Sequence, residues 1–133
     1  MLIIDDRACE TFIKMAELEP SEILGAYTLT TAADILKKKS VLQSNNLLKR
    51  VAEIYATNGR FRQAARCYQQ IAETYSNEVE FKHAIEAYLK SAEYEELESE
   101  ESSMVVQSMQ NAADLIIRYD VEKLVDAIPV IDI

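Results

Sequence analysis

The chain has few residues that form tight turns or reactive centres. Glycine, proline and cysteine each occur only twice among 133 residues, tryptophan is absent, and there is one histidine. With two glycines and two prolines, the chain has few of the residues that form hairpins or sharp loops. Two isolated glycines also exclude a phosphate-cradling loop and a dinucleotide-binding fingerprint. No apolar run approaches the roughly 20 residues that a membrane-spanning helix needs. Alanine, leucine, glutamate and lysine are abundant instead, which predicts an all-α chain.

The sequence also lacks the groupings that carry catalysis or hold a metal. The single histidine, His83, has no acid or cysteine at ligand spacing, so we expect a surface residue. Cys9 and Cys67 lie in helical patterns far apart, which favours buried thiols over a disulfide. The acidic run 93–101 lacks the glycine of a calcium loop and is expected to be a solvated connection. We therefore predict that the protein is not an enzyme and binds no cofactor or metal.

A twenty-residue repeat dominates what is present. Alanine recurs at that interval at Ala32, Ala52, Ala72, Ala92 and Ala112. A period this short fits one helix plus one turn, so the repeating unit is a helix in an antiparallel stack. A small residue at one place in each helix lets neighbouring backbones approach closely. This pattern favours a scaffold that binds over an enzyme.

The apolar periodicity predicts seven helices and one domain. The predicted helices cover residues 7–19, 20–38, 44–58, 60–75, 80–96, 102–119 and 121–127. Pro20 is expected at the first position of its helix. Gly59 is expected to end the third helix in a left-handed conformation. Because no linker interrupts the pattern, we expect residues 1–133 to form a single helical-repeat domain of about seven antiparallel helices.

The charge is unevenly distributed along the chain. The net charge is −9, yet residues 37–66 hold eight basic residues and one acid, a local charge of +7. From residue 67 onward, fifteen acids face four bases, a local charge of −11. Overall acidity disfavours nucleic-acid binding, which depends on neutralising phosphates. A basic patch on an acidic body suits an acidic protein partner. The alternative is that both segments are solvated helix faces that keep the protein soluble.

Two family resemblances follow from the residues. A weak one is to a tetratricopeptide repeat, whose small and aromatic positions are matched by Tyr55, Gly59, Phe61, Ala64 and Tyr68. This resemblance implies that the antiparallel helices form a right-handed, tetratricopeptide-like solenoid. A sharper one involves residues 52–66, 71–75 and 84–94, which read A-E-I-Y-A-T-N-G-R-F-R-Q-A-A-R, I-A-E-T-Y and A-I-E-A-Y-L-K-S-A-E-Y. These segments, and the acidic turn at 98–103, resemble the alpha-SNAP family. The similarity extends more weakly over residues 9–131.

The alpha-SNAP resemblance implies an adaptor. Members of that family bind the assembled SNARE bundle and recruit the ATPase NSF, which disassembles it after membrane fusion. In the family, the basic residue that ends the G-R-F-x-x-A-A-K segment lies on the face that meets the acidic SNARE bundle. The corresponding residue here is Arg66, which keeps the positive charge. A second basic position of the family corresponds best to Gln107, whose side chain is uncharged. Arg60 and Arg62 are expected to bind the bundle beside Arg66, with Lys49 as a neighbour.

The resemblance also implies where the protein acts. We expect a cytoplasmic adaptor in vesicle fusion and protein transport, recruited to membranes only through its partners. The family's proteins are about twice as long, so we expect a fragment or a shortened form of a longer adaptor. The apolar residues 128–133 suggest self-association of this chain. Two alternatives remain open: a tetratricopeptide-like module that binds an unrelated peptide, and a purely structural, self-associating helical protein.

Overall fold

Six α-helices occupy almost all of the chain that the computed structural model describes, residues 6–99 and 103–127. Within these two ranges there is no strand, and the predicted all-α class is confirmed. The helices are α1 (Asp6–Leu18), α2 (Glu22–Lys37), α3 (Val41–Thr57), α4 (Phe61–Asn77), α5 (Phe81–Glu98) and α6 (Ser103–Ala127).

The helices form two layers. Each helix packs mainly on the next one in the chain, and the short turns make successive helices antiparallel. A second set of contacts links alternate helices. Arg50 of α3 lies 3.8 Å from a carboxylate oxygen of Glu17 in α1, and α3 and α5 together line a cleft over α4. On the other side, α4 and α6 flank Tyr88 of α5. We call α1, α3 and α5 the odd layer, and α2, α4 and α6 the even layer.

The twenty-residue alanine repeat is a packing register. All five repeated alanines are at most 1% exposed, which places one at every helix contact from α2 to α6. Two buried serines add hydrogen bonds between helices: Ser44 Oγ donates to the carbonyl of Ala33 (2.7 Å), and Ser91 Oγ donates to that of Ala65 (2.9 Å). Small residues thus let the backbones approach, and the serines fix the distance between adjacent helices.

The turns after α3 and α4 have the same backbone geometry. The amide of Arg60 donates to the carbonyl of Tyr55, and the amide of Gly59 donates to that of Ala56. Twenty residues later, Glu80 and Val79 make the same two bonds to the end of α4. This pair of backbone hydrogen bonds is typical of a helix that ends at a residue in the left-handed conformation. Gly59 has φ 76°, as predicted, but the equivalent position is Val79 with φ 62°.

Three predicted helix limits are corrected by the structure. Pro20 precedes α2, because Ser21 caps it by accepting a hydrogen bond from the amide of Leu24. Ser40 caps α3 in the same way, so that helix begins at Val41 and not near residue 44. One helix, α6, replaces the two predicted over 102–119 and 121–127, since no glycine or proline interrupts that stretch. The described part therefore holds six helices.

The acidic run is only partly the solvated connection that the sequence predicted. Helix α5 continues to Glu98, and Glu95 in its last turns is buried with 3% exposure. One carboxylate oxygen of Glu95 has no hydrogen-bond partner among the described residues. The sequence pattern missed this burial, because Glu95 stands among exposed acids and nothing local distinguishes it. Residues 100 and 101 of the run lie outside the described residues.

Candidate partner-binding surface

The arginines of α4 stand on the exposed surface of the even layer. Arg62 and Arg66 are both exposed and lie four residues apart, so they project from the same side of the helix. Ile71, nine residues after Arg62, is fully buried. Nine residues are about two and a half turns, which places Ile71 on the opposite side of α4 from Arg62. We call Arg62, Arg66 and the preceding Arg60 the arginine face.

The positive charges of the arginine face are not neutralised by ion pairs within the described part of the chain. The side chain of Arg60 is exposed at the residue that precedes α4, and it makes no capping hydrogen bond. Among residues 6–99 and 103–127, none of the three arginines has a carboxylate within ion-pair distance. Their guanidinium groups are planar donors that match carboxylates in a two-bond geometry. The face is therefore able to bind an acidic surface without first breaking an internal ion pair.

An exposed tyrosine extends this surface onto α2. Tyr27 is 57% exposed, and its ring meets that of Tyr55 edge-on at 6.4 Å between centroids. Burial is the main cause that raises the pKa of Tyr55, and the positive charge of Arg60 partly opposes it. Arg60 and Tyr27 thus flank the same buried ring. Leu24, three residues earlier on α2, is also 53% exposed. Exposed tyrosine beside arginine is typical of interface centres.

Gln107 lies on the even layer, as do the arginines. Its side-chain amide donates to Asn111 Oδ1 (3.1 Å) on α6. Asn111 lines a cleft that Ser76 of α4 and Tyr88 of α5 also line. The charge of Glu73 contributes to the raised pKa of Tyr88, after burial, and Glu73 follows Arg66 by seven residues on the same side of α4. Gln107 and Arg66 therefore share one surface, but Gln107 contributes hydrogen bonds and no charge.

Lys49 lies on the other surface of the protein. Its side chain, on α3, lines the cleft of the odd layer together with Tyr68 and Ile71 of α4. Since Ile71 is opposite to Arg62 on α4, Lys49 and the arginine face lie on opposite surfaces of the protein. The structure thus brings Arg60, Arg62, Arg66 and Gln107 to one layer and places Lys49 on the other. Sequence distance alone gave no sign of this separation, which depends on the alternation of the layers.

A separate apolar stripe runs along α6. Four of its large side chains are 41–66% exposed: Val106, Met109, Ile116 and Ile117. Their spacing places them on one side of the helix. The apolar residues 128–133, from which self-association was predicted, lie outside the described residues. The stripe on α6 is a second apolar surface that the sequence analysis had not singled out.

Nothing in the described part of the chain suggests a reactive centre at these surfaces. Over residues 6–99 and 103–127, no group of histidine, cysteine, aspartate or glutamate side chains is placed to hold a metal ion. Cys9 and Cys67 are buried and form no disulfide within the described residues, as predicted, and burial raises the pKa of Cys67 to about 11. No described helix is both long and apolar enough to cross a membrane.

Comparison with known proteins identifies the family. A search of curated proteins and a search of solved structures each found no match. A family model described as "Soluble NSF attachment protein, SNAP" matches residues 5–130, which is nearly the whole chain. The match confirms the resemblance that residues 52–66, 71–75 and 84–94 carry. The chain therefore belongs to the SNAP family of soluble NSF attachment proteins.

Proposed function

We propose that this protein is a non-catalytic adaptor that binds assembled SNARE bundles and links them to the NSF ATPase for disassembly in vesicle fusion and protein transport. Membership of the SNAP family supports an adaptor role of this general kind. The observation that carries the finer proposal is the arginine face, which presents Arg60, Arg62 and Arg66 exposed and without ion pairs in the described part of the chain.

The proposed mechanism is electrostatic docking of one rigid helical surface on another. Arg62 and Arg66 are about 6 Å apart along the axis of α4, since each residue of a helix advances 1.5 Å. A bundle of parallel helices that carries acids offers carboxylates at comparable spacing. Tyr27 would add apolar contact beside the charges, and Gln107 a neutral hydrogen-bonding group on α6. Because the arginines are exposed, salt should screen their attraction strongly.

The remaining parts of the proposal concern architecture and location. The alternation of layers supports a solenoid, and we propose that it has the right-handed twist of tetratricopeptide-like stacks. Residues 1–133 would act as a single domain that is recruited from the cytoplasm to membranes through its partners alone. Contact with NSF is proposed from the family, whose name refers to attachment of that ATPase.

A second candidate is a tetratricopeptide-like module that binds an unrelated peptide. The cleft of the odd layer, with Lys49 at its edge, is the observation that favours it. The two functions differ in the shape of the ligand. A SNARE adaptor should bind the assembled bundle and ignore single, unfolded SNARE chains, whereas a peptide module should bind one extended segment.

A direct binding experiment separates these candidates. The purified chain is immobilised and exposed in turn to an assembled SNARE bundle and to each of its component chains alone. We expect capture of the bundle only, with a steep fall between low and physiological salt. An uncharged helical coiled coil of similar length serves as the control ligand. Equal capture of bundle and single chains, or capture that salt does not weaken, would contradict the adaptor proposal.

A further inference from the structure

A cleft on the odd layer lies away from the arginine face. It has a volume of about 240 Å³ and lies between α3 and α5, with α4 as its floor. Tyr68, Ile71 and Tyr75 contribute the floor, and Lys49 and Lys90 belong to the two walls. We call it the odd-layer cleft. It is smaller than the 300–1,000 Å³ of typical cofactor or drug sites, so it fits a side chain better than a whole cofactor.

Two charged side chains that line the odd-layer cleft, those of Lys49 and Glu86, have no ion pair within the described ranges. Lys90 Nζ lies 3.2 Å from Glu93 Oε2 and 5.2 Å from the ring centroid of Tyr94. His83 stacks on Tyr75 at 5.1 Å between ring centroids, and its Nδ1 lies 3.7 Å from a carboxylate oxygen of Glu80. Lys49 is half-buried and has no hydrogen bond or ion pair within the described ranges.

Because Lys49 is half-buried whereas Glu86 is exposed to water, Lys49 determines which ligand the cleft prefers. An ammonium group that is partly removed from water gains most from an anion that reaches it. The only carboxylate of the cleft lining is that of Glu86, on the opposite wall in α5. Beneath Lys49, the half-buried ring of Tyr68 offers apolar surface, and the buried Tyr75 and Ile71 lie below and beside it. An apolar group with a carboxylate beside it would match both features.

We propose that the odd-layer cleft binds a segment of a partner protein in which a bulky apolar side chain is next to an aspartate or glutamate. The apolar side chain lies on the exposed part of the Tyr68 ring, and the side-chain carboxylate pairs with Lys49. This site is on the opposite surface from the arginine face. A protein with both sites holds an acidic bundle on the even layer while a second partner occupies the odd layer.

The test uses short peptides and the whole chain labelled for NMR. The probe is an acetylated and amidated peptide with phenylalanine followed by glutamate between glycines, and its partner carries glutamine in place of the glutamate. We expect the glutamate peptide to bind about fivefold more tightly and to shift the amide signals of Tyr68 and Ile71. A third peptide, which ends in phenylalanine with a free carboxylate, tests a chain end as the source of the anion.

The variants are chosen to separate charge from fold. Lys49→Gln should remove the preference for glutamate, and Lys49→Arg should restore it. The matched control Lys14→Gln removes an exposed lysine of α1 and should leave the preference intact. Equal binding of the first two peptides, an unchanged preference in Lys49→Gln, or binding of the free-acid peptide alone would overturn the proposal. Arg62→Glu with Arg66→Glu should not affect these peptides, so failure here is distinct from failure of SNARE binding.

Discussion

Val79 is strained in the left-handed conformation, and replacing it with glycine should stabilise the protein. Its φ of 62° lies where an L-residue costs about 1–2 kcal/mol. The valine side chain is 62% exposed, so its removal sacrifices little packing. Glycine makes the unfolded chain more flexible, which offsets roughly 0.5–1 kcal/mol of the gain. We therefore expect Val79→Gly to raise the free energy of unfolding by about 0.5–1 kcal/mol.

The assay is thermal and urea unfolding followed by circular dichroism. For a chain of this size, the expected stabilisation raises Tm by about 2–4 °C. The matched control is the reverse change at the equivalent turn, Gly59→Val. A Cβ at Gly59 would meet no atom within 4 Å, so any loss of stability there reports backbone strain alone. Lower stability in Val79→Gly, or no loss in Gly59→Val, would refute the equivalence of the two turns.

Three further predictions concern the core, the thiol and the apolar stripe. Ala72→Leu should overpack a fully buried contact and cost about 1–3 kcal/mol in urea unfolding; an unchanged midpoint would show that the alanine repeat is not a packing register. Burial raises the pKa of Cys67 from 9.0 to about 11, so the folded chain holds this proton more tightly than the unfolded chain. The contribution of this thiol to the free energy of unfolding is complete below pH 9 and is lost as the pH rises to 11. Cys67→Ala should therefore reduce the fall of the urea midpoint between pH 9 and 11. A fall as large as that of the wild type would contradict this prediction. Finally, we expect reversible self-association through the stripe on α6, weakened by Val106→Ser with Ile117→Ser; sedimentation of the wild type as a monomer at high concentration would contradict this.

The sequence predicted those parts of the fold that local pattern determines. The alanine repeat anticipated the packing register, and Gly59 anticipated the end of α3, because both depend on residue size or backbone freedom. Helix limits were less predictable. A serine cap at Ser40 extends α3 by one turn, and the absence of a breaker joins the last two predicted helices into α6. Val79 was not predictable, because the backbone hydrogen bonds of the turn hold a β-branched residue in a conformation that it disfavours locally.

The candidate site was predictable only in part. The four-residue spacing of Arg62 and Arg66 correctly indicated that they share a side of α4. The sequence grouped Lys49 with them because all belong to one basic segment, but two layers of helices separate neighbours in sequence onto opposite surfaces. The exposure of Tyr27 could not be predicted, because its position in the helical apolar series of α2 is equally typical of a core residue. The edge-on contact with Tyr55 leaves more than half of it exposed.

Charge reversal on the arginine face tests the central claim most directly. Arg62→Glu with Arg66→Glu changes two exposed residues, so helical content and Tm should stay nearly unchanged. Lys14→Glu with Lys82→Glu makes the same change in net charge at exposed positions away from this face and serves as the control. We predict that the arginine variant loses capture of assembled SNARE bundles and that the lysine variant retains it. Capture by the arginine variant at the wild-type level would contradict the adaptor mechanism proposed for this surface.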